Sequence, residues 1–342
     1  MDWTLYIYKT IFLFIILLVT LLVAMYSTYG ERKVAAFLQD RIGPNRAGPF
    51  GLLQPLADGV KMFMKEEIIP LSANRILFIL GPSIAMTTAL LTGVVIPWGG
   101  TLIIGGREFS MQIADLNIGI LYVFAMVSIG VYGIMIGGWA SNNKYALYGS
   151  IRAASQMISY ELAMGLSIVA LIITTGSLSL HDIVAQQHDV WNIVRQPLGF
   201  LIFIICAFAE TNRAPFDLPE CETELVGGYH TEYSSMKLGF YLFAEYINMF
   251  ISAAVISTLY FGGYNMPFID HLGLSQNAVT LLGTAFLFLK IFFWIFVFMW
   301  VRWTLPRFRY DQLMNLGWKG LIPLAIFNIL ATGVVFYFLE LN

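Results

Sequence analysis

The sequence predicts an all-α polytopic membrane protein of eight transmembrane helices, with one amphipathic helix at a membrane surface. Three observations carry that expectation. Hydrophobic residues make up 58% of the 342 and charged residues only 12%, about half the charged share of a soluble domain. The apolar residues gather into runs close to the ~20 residues that a membrane helix needs. Lys and Arg fall almost entirely in alternate loops.

The apolar runs cover residues 11–29, 76–98, 118–140, 155–175, 198–209, 238–261, 278–301 and 321–341. The fifth is the shortest and runs straight into Glu210. The first does not read as a cleaved signal peptide, because its leading flank is not basic and its apolar run is too long. No internal repeat or low-complexity linker interrupts the chain, so residues 1–342 read as one membrane domain.

Orientation follows from the basic residues. The first loop holds Arg32, Lys33, Arg41, Arg46, Lys61, Lys65 and Arg75; the third, Lys144 and Arg152; the fifth, Arg213 and Lys237. The seventh holds Arg302, Arg307, Arg309 and Lys319, whereas the opposite side has only Lys9, Arg107 and Arg195. The positive-inside rule then places the odd loops in the cytoplasm and both termini outside.

Composition also excludes. Cys206 and Cys221 are the only cysteines, too few for a four-thiolate iron–sulfur cluster, and Cys206 reads as a small buried hydrophobe. His181, His188, His230 and His271 all lie outside the apolar runs, so facing haem ligands within the membrane are not expected. Neither GxGxxG nor GxxxxGK[ST] occurs, which argues against a nucleotide site. No basic stripe interleaved with aromatics points to nucleic acid. Any electron carriers are expected to sit in other chains.

Three cytoplasmic segments carry information. In residues 30–75, Phe50, Leu53, Ala57, Val60 and Met64 form an apolar stripe, with Gln54, Asp58, Lys61 and Lys65 opposite. Pro55 is tolerated only in a first turn, so this helix is expected to start near Gln54. It either anchors the surface or walls a groove for a lipid-like substrate. Residues 210–237 gather Glu210, Asp217, Glu220, Glu222, Glu224 and Glu232 around Arg213. Carboxylates crowded at a membrane edge suit groups that take up and pass protons. Residues 302–320 are basic and aromatic, fit for lipid headgroups or for docking a soluble partner.

Ionisable residues inside apolar runs are costly and are read first as functional. Glu161, Glu245 and Lys290 are of this kind. Lys290 lies near mid-run, too deep for its stem to reach water, and Glu161 or Glu245 is its expected partner. With Glu210, these residues outline a proton or ion path through the inner half of the membrane.

Four strings carry a resemblance to a known family: ERKVAAFLQDRIGPNRAGPFGLLQPLADGVKMFMKE, SNNKYALYGSIRAASQMISYE, AETNRAPFDLPECETELVGGYHTEYSSMK and WVRWTLPRFRYDQLM. They resemble the H-subunit family of proton-pumping NADH:quinone oxidoreductases (respiratory complex I). The likeness runs from Gly30 to Met314, with the motifs in order. It implies a multi-pass component of a bacterial inner membrane, placed where the membrane arm meets the peripheral arm. Its partners would be the soluble quinone-site and iron–sulfur subunits, neighbouring membrane-arm subunits and lipid. The substrate implied is a quinone, with no flavin, cluster or haem held by this chain. Carried over by motif, Arg41, Arg46, Gln54, Asp58, Lys61 and Arg302 would line the quinone tunnel or chamber. Glu161, Glu210, Asp217, Glu220, Glu222 and Glu245 would relay protons or charge. The homologous membrane component of a proton-pumping hydrogenase or ferredoxin-linked complex is the alternative.

Overall fold

A computed structural model describes residues 3–218, 225–267 and 274–340. Glu220, Cys221, Glu222, Glu224 and His271 lie outside the described residues. The chain opens with α1 (Trp3–Leu38), which continues well past the first apolar run. Glu31 to Leu38 contains good helix formers and no Pro, so nothing stops the helix there. Its buried stripe is Ile16, Thr20, Ala24, Ser27, Glu31 and Ala35, three or four residues apart, so Glu31 points into the bundle.

The amphipathic helix α2 (Gln54–Met64) starts where Pro55 requires. Val60, Phe63 and Met64 are exposed along it, while Asp58 and Lys61 border a cavity shared with α1. Its apolar face therefore looks away from the bundle, as suits a helix lying in an interface.

Next come α3 (Arg75–Thr92), capped by the Asn74 side chain, and α4 (Gly119–Ala140). Between them an antiparallel hairpin pairs β1 (Thr101–Ile104) with β2 (Arg107–Ser110). The Asn277 side chain accepts from Ile103 N and donates to Ile103 O, closing the outer edge of β1. The long α5 (Lys144–Thr175) packs on α4 and ends at Gly176, whose φ of 66° suits glycine. Short helices α6 (Leu180–Gln186) and α7 (Asn192–Arg195) lead into α8 (Pro197–Glu210). Then follow α9 (Ser235–Tyr260), α10 (Gln276–Thr304), α11 (Tyr310–Asn315) and α12 (Ile322–Glu340). A π-helical stretch, Leu316–Leu321, joins the last two. The C-terminal ends of α1, α4, α8 and α10 share one end of the bundle, called here the charged end; the hairpin lies at the far end.

Among the described residues, seven helices are long and apolar enough to cross a membrane. The eighth expected span, α8, has 14 residues. At 1.5 Å per residue it is about 21 Å long, short of a ~30 Å hydrocarbon core. Its inner end is buried protein, not lipid-facing: Cys206, Ala207, Phe208, Ala209 and Glu210 are all buried, and α8 packs on α5 and α12. The shortness of α8 is what sets Glu210 inside the bundle.

Close packing of α3, α4 and α9 rests on glycine. A Cβ at Gly137 would lie 1.9 Å from the Tyr241 hydroxyl, which donates to Gly133 O at 3.0 Å.

Candidate functional site

At the charged end, α1, α2 and α9 enclose a cavity of about 230 Å³. Thr28, Arg32, Asp58, Lys61 and Tyr246 are its polar lining; Met25, Met62 and Phe243 are among its apolar walls. Asp58 is fixed by an ion pair with Arg32 at 2.7 Å and accepts from Gln54 Nε2 at 3.1 Å. The cavity is thus amphipathic, apolar along the helices with charge at its mouth. Of the expected lining residues, Asp58 and Lys61 border it, and Gln54 reaches it through Asp58. Arg41 and Arg46 lie exposed on the loop between α1 and α2, with Arg41 Nε donating to Gln39.

Behind the cavity the expected lining residue Arg302 and Arg213 of the acidic segment converge on a residue that sequence reasoning missed, Glu31. Glu31 is paired with Arg213 at 2.6 Å and with Arg302 at 2.5 Å, and it accepts from Tyr246 Oη at 2.9 Å. The Arg213 guanidinium stacks on the Tyr246 ring, 3.9 Å from its centroid. Glu31 and Arg213 are buried. Burial alone would lower the Arg213 pKa; the adjacent Glu31 carboxylate overrides it and raises the pKa above its ordinary value. Taking residues 30–75 as loop hid Glu31. The small-residue stripe Ala24, Ser27, Glu31, Ala35 was the available signal.

Arg213 belongs to the segment after α8, which folds back through a cis Ala214–Pro215 bond. Gln156 of α5 holds that segment by donating to Ala209 O at 2.9 Å and Phe216 O at 2.8 Å. Asp217, at its end, accepts from Arg307 at 2.8 Å, which ties the acidic segment to the basic one.

The membrane carboxylates lie on separate helices and converge. Glu245 accepts from Tyr229 Oη at 2.9 Å. Glu210 and Glu245 border one small cavity of about 40 Å³, together with Asn212, Tyr241, Asn248 and Ser252. That volume has room for water, which needs about 10–15 Å³ on this measure. Glu210 also borders a second cavity of about 40 Å³, walled by Ile120, Phe124, Ile168, Phe203 and Leu259. Its Oε2 has no hydrogen-bond partner among the described residues. Glu161 accepts a short hydrogen bond from Ser128 of α4 and is only half-buried on the outer face of α4 and α5.

Lys290 departs from expectation. Among the described residues no carboxylate receives it; Nζ donates to Phe261 O, Gly263 O and Asn265 O at 2.6, 2.7 and 3.2 Å. The reason is topological. Glu161 and Glu245 lie toward the charged end, whereas Lys290 meets the turn beyond the far end of α9.

The family model described as NADH dehydrogenase matches residues 11–333. The chain belongs to this family. It is 73% identical over 326 residues to the NADH-quinone oxidoreductase H subunit, numbered 1, of Cytophaga hutchinsonii, covering 95% of each chain. It is 63% identical over 332 residues to the H subunit of the Flavobacterium johnsoniae enzyme, covering 96% of this chain and 94% of that one. With the H subunit of the Thermomicrobium roseum enzyme it shares 49% identity over 345 residues, 98% of each. The resemblance read from the four strings thus extends over nearly the whole length, and the chain is a multi-pass membrane protein of the complex I H-subunit type.

Proposed function

We propose that this chain forms the access tunnel and part of the reduction chamber for a quinone in a bacterial inner-membrane NADH:quinone oxidoreductase. It also couples quinone reduction to proton translocation. The observation that carries the reading is the double position of Tyr246. Its side chain borders the α1–α2–α9 cavity and hydrogen-bonds Glu31, joining that cavity to buried charge. A quinone tail suits the apolar walls, and its polar head suits the ion-paired mouth.

Reduction of a quinone to quinol takes two electrons and two protons. The electrons come from a cluster in a partner protein; this chain supplies the shaped cavity and the charges. Negative charge on the reduced headgroup pulls on the Arg213 and Arg302 guanidiniums that Glu31 neutralises. Any weakening of those pairs is felt by Glu245 and Glu210, which share a water-sized cavity. From there Glu161 passes charge to the outer face of α4 and α5, toward a neighbouring membrane component. Asp217, Glu220 and Glu222 feed the path from the charged end, where Arg307 and the 302–320 segment meet the soluble partners. Lys290 stands apart from this path.

The test is the complex purified through a tag on this chain. NADH-driven quinone reduction with co-purifying flavin and iron–sulfur proteins supports the reading; hydrogen evolution without quinone reduction removes the quinone chamber. Within such a complex, K61A should raise the KM for short-chain quinones severalfold at near-normal kcat.

A further inference from the structure

We propose that Lys290 is a fixed positive charge that bars protons from reaching the carboxylate path from the far side of the membrane. The inference rests on the proton-coupling role just proposed. The path has a clear direction of closure. Glu210 looks toward the charged end through a cavity lined by Asn212, Tyr241 and Asn248, and toward the far end through one whose walls are apolar save for Ser252. A few apolar side chains around a void are a thin barrier. If water from the far side wetted that void, protons would flow back to Glu210 without work.

The next layer beyond the void is built to prevent this. Leu259 lines the void, and its carbonyl accepts from Asn192 Nδ2 at 2.9 Å. Two residues further on, the turn after α9 is gripped by Lys290. An ammonium has three N–H donors and a neutral amine two; Nζ donates to three backbone carbonyls, so the geometry is that of the charged form. Trp191 and Phe286 present ring faces to it, 4.9 and 4.3 Å from the centroids, an arrangement that favours a cation. Among the described residues around it, the amides of Gln187 and Asn265 are already engaged. Gln187 spans Thr258 O, Gly262 N and Asn192 N, and Asn265 Nδ2 donates to Val184 O. Among the described residues no carboxylate pairs with Lys290, and the carbonyl dipoles at the end of α9 face its charge. Positive charge at a constriction is a known physical means of excluding protons.

The experiment uses the whole complex reconstituted in liposomes, without NADH. A potassium diffusion potential drives protons, and a trapped pH dye reports their passage. The unmodified complex and K290R hold the gradient. K290M and K290Q leak about tenfold faster, the lower range of what a fixed charge does to local ion concentration. NADH:quinone turnover in detergent, which probes the tunnel and not the barrier, stays unchanged in all. An assembled K290M or K290Q as tight as the unmodified complex overturns the proposal. So does failure of both neutral variants to assemble where K290R succeeds, since Lys290 would then be a clasp for the fold. Absence of quinone reductase activity in the unmodified complex would overturn the functional reading, and that assay is separate.

Discussion

Glu31 binds three side chains at once, and it sits where a loop was expected. It neutralises two arginines and holds a tyrosine. Removing one member of a buried ion pair costs about 3–5 kcal/mol, because the partner charge is left buried. E31Q should therefore lower the thermal midpoint of the purified complex markedly and weaken inhibitor binding in the cavity. R302M should cost less, since it leaves Glu31 paired with Arg213; calorimetry on the two variants gives the comparison. Y246F keeps the ring beneath Arg213 and removes one hydrogen bond to a charged group, a loss of about 1.5–3 kcal/mol. Glu161, by contrast, was legible from sequence because an acid in an apolar run stands out. E161Q should assemble and lower quinone turnover, proton pumping or both, and unchanged values of each would remove Glu161 from the path. The partner of Lys290 was not legible, because backbone carbonyls exposed by a turn leave no mark in a residue pattern.

Helix periods and breakers gave the start of α2 at Gln54 correctly, since Pro55 admits few alternatives. They could not end α1, because ERKVAAFL is equally good as membrane helix or as its soluble continuation. Nor could they show which way α2 faces. Its polar side borders the cavity and its apolar side looks outward, which needs the position of α9 to see. The contact of α3, α4 and α9 is similarly hidden in sequence, where Gly81, Gly133 and Gly137 read as ordinary glycines of an apolar run. A methyl at Gly137 meets the Tyr241 hydroxyl and Gly81 lies against Gly137. G137A should thus push α9 off α4, at an overpacking cost of about 1–3 kcal/mol. The measurable result is less complex in the membrane and a lower thermal midpoint, with Y241F in the same background restoring part of the loss.

At the scale of the molecule, the class of fold was plain from composition, and eight apolar runs map onto eight helices of which seven have spanning length. What composition could not give is how those helices nest: α9, the most buried of the seven, touches α1, α3 and α10, while α5 packs on α4, α8 and α12. The short α8 shows why this matters in time as well as in space. A segment of about 21 Å, begun by Pro197 and closed by Glu210, offers an insertion machinery too little apolar length to be accepted alone. Gln196 at its head bonds Thr332 and Asn328 of α12, which is synthesised more than a hundred residues later. Its settling in the bilayer must therefore wait for α12. A chain truncated before α12 should leave Gln196 reachable by a water-soluble thiol reagent when replaced with Cys, and the full chain should protect it. The carboxylate path is on this view completed only after α12 arrives, so a half-made chain carries no open proton route.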